Sequence, residues 1–148
     1  RSFTIWNLDT GRPVFDSGSD FEVITAEQLG GFFNASNDSN DGDDRSDDKG
    51  PEPEAVEIAT INGNVFVFIA LERVGGVMVY NITNPQSAKF VQYVNPRDFT
   101  VDDDAVEANL AGPLGPEDLK FITQDDEMYL LVSNEVSGTL SVYSVTLL

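Results

Sequence analysis

Residues 53–83 read PEAVEIATINGNVFVFIALERVGGVMVYNIT, and residues 116–146 read PEDLKFITQDDEMYLLVSNEVSGTLSVYSVT. The two stretches align without a gap at an offset of 63 residues. Eight pairs are identical: Pro53/Pro116, Glu54/Glu117, Thr60/Thr123, Glu72/Glu135, Gly75/Gly138, Val79/Val142, Tyr80/Tyr143 and Thr83/Thr146. Similarity at a fixed spacing that includes the turn residues marks a repeat of one structural unit. Within the first copy, Val56 to Ile61 alternates apolar and polar residues, and Asn62-Gly63 is a hairpin signal. Val65 to Ala70 is continuously apolar, as in a strand buried on both faces. Gly75-Gly76 makes the next turn, Val77 to Ile82 is a third strand, and Lys89 to Val94 is a fourth that Pro96 ends. Four antiparallel strands in a unit longer than 40 residues match the blade of a β-propeller.

Working outward, Phe3 to Leu8 aligns with Val77 to Ile82 and reads as a third strand, with residues 13–23 supplying the fourth. The second copy stops after its third strand near Leu148. The expected fold is therefore all-β: a partial β-propeller of about two to two and a half four-stranded antiparallel blades from a larger ring. The expected division is 1–33 as the end of a blade and a connection, 34–54 as an acidic loop, 55–98 as a blade, 99–116 as a connection and 117–148 as the last blade with three strands. Short helical turns are expected at Thr25–Leu29 and within Val101–Leu110. Such a chain cannot close a ring by itself, and open strand edges attract partners. The sequence thus predicts the C-terminal part of a longer propeller, held by the remainder of that chain or by other copies. Trp6, Tyr80 and Tyr143 fall at equivalent positions and are expected in the core.

Composition narrows the chemistry. The 148 residues carry 8 Lys+Arg against 26 Asp+Glu, a formal charge of −18, with no His and no Cys. That excludes thiolate chemistry, disulfides and imidazole bases within this chain. The acidic balance argues against nucleic acid, which needs a basic face, and fits divalent cations, basic partners or a saline extracellular medium. The longest apolar run, Val65 to Leu71, is far short of the roughly 20 residues of a membrane-spanning helix, so no transmembrane segment is expected.

Residues 34–54, NASNDSNDGDDRSDDKGPEPE, concentrate the charge. A run of this kind is a solvated loop, a hard-cation site, since calcium takes six to eight oxygens from closely spaced carboxylates and carbonyls, or a contact for a basic partner or, through Arg45 and Lys49, for phosphate. The candidate ligands are Asp38, Asp41, Asp43, Asp44, Asp47 and Asp48. The EF-hand pattern fits poorly, because Asp48 rather than Glu falls at the twelfth place counted from Asn37. Antiparallel succession puts first-strand starts and second-strand ends on one side of the sheets. Glu54, Glu117, Glu72 and Glu135 are therefore expected on one rim beside the loop, either as further cation ligands or as caps of turns. Arg45, Lys49 and Arg73 are the candidate phosphate contacts. Asn34, Asn37 and Asn81 begin glycosylation sequons, and Asp102-Asp103-Asp104 reads as a solvated loop.

The stretch Arg45-Ser46-Asp47-Asp48-Lys49-Gly50-Pro51-Glu52-Pro53-Glu54, with Gly115-Pro116-Glu117-Asp118 and Ser133-Asn134-Glu135, resembles the choice-of-anchor I domain. That family is a secreted or surface-attached bacterial β-propeller, several times longer than this chain, with relatives described as mesenchyme-specific surface glycoproteins. Members are often joined to phosphoesterase or nucleotidase domains, and some carry an alkaline phosphatase label. The resemblance implies an extracellular, periplasmic or cell-surface setting, and it carries over no catalytic residue. Two functions follow as expectations. One is a surface propeller whose acidic rim binds Ca2+ and mediates binding or assembly. The other is a calcium-dependent phosphoesterase similar to propeller phosphatases and phytases, completed by further blades, in which clustered cations activate water.

Overall fold

The computed structural model describes residues 1–147; Leu148, at the end of the expected last blade, lies outside them. Nine strands form three antiparallel sheets. β1 (Thr4–Asn7) pairs with β2 (Arg12–Asp16). β3 (Pro53–Ile61), β4 (Asn64–Leu71), β5 (Val77–Asn81) and β6 (Lys89–Val94) form a four-stranded meander, and β7 (Pro116–Gln124), β8 (Glu127–Asn134) and β9 (Thr139–Val145) form a three-stranded one. The fold is all-β with few helices. Among the described residues the sheets do not close into a ring.

The 63-residue repeat is reproduced in the strand register. Pro53 faces Leu71 and Pro116 faces Asn134, each followed by a register shift before residues 55 and 118; Ile61 faces Asn64 and Gln124 faces Glu127. The first hairpin turns at Asn62-Gly63 (φ 49° and 80°) and its counterpart at Asp125-Asp126 (φ 51° and 65°). Left-handed conformations at both central residues match the twist of the flanking strands. At the β4–β5 turn Gly76 has φ 83°, and a Cβ there would lie 2.6 Å from the Val94 carbonyl oxygen and 2.7 Å from the Tyr93 ring. Only glycine fits.

The apolar run in β4 is buried on both sides. Phe66, Phe68 and Ala70 face one core with Ala59, Ile61, Val77, Val79, Leu119, Leu130 and Val132, joining the four-stranded sheet to the three-stranded one. Phe68 and Phe121 stack across that boundary at 6.1 Å. Val67, Ile69 and Leu71 face a second core with Phe21, Met78, Tyr80 and Tyr93, onto which Phe3 of the N-terminal segment also packs. In β3 the alternation points the other way from a simple inward apolar face: Val56 and Ile58 are exposed, while Ala59 and Ile61 are buried. Glu57 lies at the sheet boundary, where it accepts hydrogen bonds from the Phe121 N–H at 2.9 Å and from Lys120 at 3.0 Å.

Three local expectations are corrected. Residues 13–23 do not form one strand: β2 ends at Asp16, Gly18 turns at φ 59° with its N–H on Asp16 Oδ1, and α1 runs Asp20–Leu29. Burial of Phe21 and Thr25 against the sheet gives this helix its reason to form, so the single turn expected at 25–29 is the end of a longer helix. Asp102–Asp104 is exposed, as expected, but it is not a loop: Asp102 caps α2 (Asp103–Glu107) through the Ala105 N–H, and Asp103 and Asp104 form its first turn. Trp6 is 55% exposed, unlike Tyr80 at 1%.

Candidate functional site

The acidic loop is ordered, and a basic residue outside it is the reason. Arg97 is only 5% exposed. Its guanidinium donates to Asn40 Oδ1 at 3.1 Å and to the carbonyls of Ser36 at 2.6 Å, Ser39 at 2.8 Å and Arg73 at 3.3 Å, and it lies 4.9 Å from the Phe99 ring centre. Burial pulls this guanidinium down to about 10, against smaller contributions from Tyr93, Asp38 and Asp103, so it remains charged at neutral pH. Asn40 adds bonds to the Val101 carbonyl and from its N–H to Asp103. Inside the loop Asp43 N–H reaches the Phe33 carbonyl and Gly50 N–H the Arg45 carbonyl. Asn34, Ala35, Ser36 and Asn37 are buried, which removes the first two sequons from the surface of the folded chain.

Where the loop enters β3, three carboxylates converge. Oxygens of Glu52, Glu54 and Glu72 lie within 4.8 Å of one another. Glu52 and Glu72 are buried and Glu54 is exposed. The Glu72 N–H bonds the Glu52 carbonyl at 2.9 Å, continuing the β3–β4 ladder past Pro53. Lys49 and Arg73 both bond Glu52, the Arg73 Nε at 2.6 Å, while Arg73 Nη2 also reaches Glu72 at 3.1 Å. Burial alone would raise the Glu52 carboxyl, but the Lys49 and Arg73 bonds outweigh it and hold it below the usual range. Glu72 goes the other way. Burial raises it, Arg73 opposes, and Glu52, Glu54 and Glu117 reinforce the rise. Glu117 is likewise raised, first by desolvation and then by Glu135 and Glu54. The four glutamates expected on one rim are thus electrostatically linked across the two sheets.

The aspartates contribute differently. Asp38, Asp41, Asp43, Asp44, Asp47 and Asp48 are all exposed. Asp43 accepts from the Ser46 hydroxyl, and Asp48 pairs with Arg45 Nη2 at 2.6 Å. Among the described residues they do not join the three-carboxylate group. Arg45, Lys49 and Arg73 each engage a carboxylate. Sequence reasoning passed over Glu52 and Arg97. Glu52 stands in the acidic stretch two residues before Glu54, but the left-handed turn that buries it (φ 53°) precedes the strand and leaves no mark in a strand register. Arg97 carried no comparable signal.

The sequence profile of the choice-of-anchor I domain matches residues 1–85. A curated protein, Gigasin-3a from Magallana gigas, is 27% identical over 157 residues, covering 98% of this chain and 55% of that protein. The chain therefore spans about half the length of the curated relative it matches. No solved structure matches.

Proposed function

Since the chain belongs to the choice-of-anchor I family, we propose that it is a β-propeller segment of a cell-surface or extracellular protein whose acidic rim binds a divalent cation and serves binding or assembly. Residues 1–33 then finish one blade, 55–98 form the next, and 117–148 supply three strands of another. No helix among the described residues is long and apolar enough to cross a membrane.

The observation that carries the cation is the convergence of Glu52, Glu54 and Glu72 within 4.8 Å. Calcium holds its oxygens at about 2.3–2.6 Å, so ligands on opposite sides of one ion stand roughly 5 Å apart. The carboxylates fit that span. Lys49 and Arg73 compete with a cation for the Glu52 oxygens. Their commitment to carboxylates, shared by Arg45, supports a structural or adhesive role for the rim over phosphoester chemistry.

Calorimetric titration of CaCl2 into the chain tests this. One saturable site is expected, weakened at least about tenfold by Glu52→Gln or Glu72→Gln and tightened by Lys49→Ala. Calcium at 100 times its dissociation constant then stabilises the fold by about 2.7 kcal/mol. Absence of a saturable site, or equal affinity in wild type and both glutamine variants, refutes the assignment.

A further inference from the structure

The three sequons stand in different surroundings. Asn34 is 1% exposed and donates its Nδ2 to the Ser46 hydroxyl at 2.9 Å, and Asn37 is 7% exposed. A sugar is bulky and needs surface, which neither residue offers in the folded chain. The third, Asn81-Ile82-Thr83, is open. Asn81 ends β5 half-buried, and residues 83–87 beyond it are exposed. Asn81 Oδ1 accepts the Thr83 N–H at 2.9 Å, a turn closed by the side-chain oxygen. Asn7, aligned with Asn81 at the end of β1, uses its oxygen in the same way on the Thr10 N–H at 2.8 Å. Capping the strand end thus explains the oxygen and not the nitrogen. Among the described residues Asn81 Nδ2 donates to no other group, and Asn81 lines a hollow of about 310 Å³ with Thr83, Asn84, Ser87 and Lys89. The sequon belongs to this copy: the residues in its place are Asn7-Leu8-Asp9 after β1 and Ser144-Val145-Thr146 after β9.

We propose that Asn81 is an N-glycosylation site, taking an oligosaccharide from a lipid pyrophosphate donor in the secretory pathway. Nδ2 loses one proton to a base of the transferase and bonds the anomeric carbon of the first sugar. The bond from that carbon to the pyrophosphate oxygen breaks, and the lipid pyrophosphate leaves with the electron pair. The Thr83 hydroxyl, which the transferase reads together with the asparagine, accepts the Val65 N–H at 2.9 Å in the folded sheet. Transfer therefore precedes closure of this end of β4 and β5, and the fold must then accommodate the product. It does so because the modified amide keeps its oxygen, so the bond from the Thr83 N–H survives, and because the nitrogen has no partner to lose. Asn81 faces Phe66 near the start of β4, whereas Pro53 faces Leu71 at the other end. The glycan thus leaves the sheet at the end opposite Glu52, Glu54 and Glu72 and keeps clear of the acidic rim. The site rests on the extracellular placement proposed above and not on the cation.

Translation of the full chain behind a secretory leader into microsomes tests the site, read by intact mass and peptide mapping before and after a peptide N-glycosidase. One glycan on Asn81 is expected, removed by the enzyme with conversion of that asparagine to aspartate. Asn81→Gln and Thr83→Ala abolish the mass increment, and Thr83→Ser retains it at lower occupancy. The glycosylated and the enzyme-treated chain unfold at the same urea midpoint. A bare Asn81 in the imported chain, whichever other sequon is filled, overturns the proposal. A glycan on Asn81 in a chain that cells then fail to release supports the site and counts against the extracellular placement alone.

Discussion

Replacing Arg97 with methionine keeps the apolar stem and removes the guanidinium that ties the acidic loop to the chain after β6. Three acceptors then lose close donors inside the fold: the carbonyls of Ser36 and Ser39 and the Asn40 side chain, with the Arg73 carbonyl losing a longer bond. A buried acceptor left without its partner costs about 1–3 kcal/mol. The lower end is appropriate here because the loop borders solvent and water can reach part of it. Three such losses, with about 0.5–1 kcal/mol for the guanidinium over Phe99, come to roughly 4 kcal/mol. Relief of the desolvation that pulls the guanidinium down to about 10 offsets part of this, leaving a net loss of about 2–4 kcal/mol.

Urea unfolding measures the loss directly. With a slope of about 1–3 kcal/mol per molar for a domain of this size, the midpoint falls by roughly 1–2 M. Limited proteolysis at aspartates separates the cause from general destabilisation. In Arg97→Met, cleavage between Asp38 and Asp48 accelerates in native buffer well before the sheets unfold, while Arg97→Lys keeps the charge but not the fork and falls between. A loss below about 1 kcal/mol with unchanged loop cleavage refutes the reasoning. It would mean that the loop's own turns, such as Asp43 N–H to the Phe33 carbonyl, suffice to order it.

Further perturbations test the cores and the rim. Val79→Ala, in the core between the sheets at 7% exposure, costs about 1–2 kcal/mol; Val142→Ala, the same change at the equivalent repeat position but 58% exposed, costs less than about 0.5 kcal/mol by the same urea assay. The folded Glu72 carboxyl is raised above its ordinary value, so its ionisation opposes folding: stability is fully present below the unfolded value and declines as pH rises through the folded one. In metal-free buffer Glu72→Gln therefore raises the thermal midpoint at pH 7 relative to wild type, and the difference shrinks below pH 4.5, as a paired pH series of melts would record. Glu52→Gly relieves a left-handed residue worth about 1–2 kcal/mol but loses the bonds from Lys49 and Arg73, so its unfolding midpoint changes by less than that of Arg97→Met while its calcium titration collapses.

Much of the scaffold was legible because it is written twice. The Asn62-Gly63 and Gly75-Gly76 turns, the apolar run of β4 and the matched Pro-Glu starts each specify local backbone, and the 63-residue offset carries them into the second sheet. The N-terminal region was legible only to β2. Gly18 and the burial of Phe21 turn the chain into α1, and neither shows in a strand register. At the rim the Glu54, Glu72, Glu117 and Glu135 grouping followed from antiparallel geometry. The aspartate run drew attention by number, but exposed aspartates are readily solvated, whereas a buried carboxylate such as Glu52 needs partners. Which cation reaches it depends on the position of Arg73 two strands' length away in sequence, and the ordering of the loop depends on Arg97.

The departures from the repeat locate the chemistry more sharply than the repeat itself. Glu54 and Glu72 recur as Glu117 and Glu135, so that pair belongs to the scaffold of both copies. Lys49, Glu52 and Arg73 do not recur: Gly112, Gly115 and Val136 stand in their places. Glu52 at φ 53° and Gly115 at φ 68° occupy the same left-handed turn, which glycine adopts freely and glutamate adopts at a cost. The difference propagates to the neighbouring strand end. A Cβ on Gly115 would lie 2.7 Å from the Val136 side chain, which fills the space, whereas Arg73 at the equivalent position reaches the Glu52 carboxylate at 2.6 Å. One copy has closed this corner with an apolar contact, and the other holds it open with a strained glutamate and two cations. Gly115 stands where a third carboxylate would complete the second copy, so among the described residues the three-carboxylate convergence occurs at the first sheet.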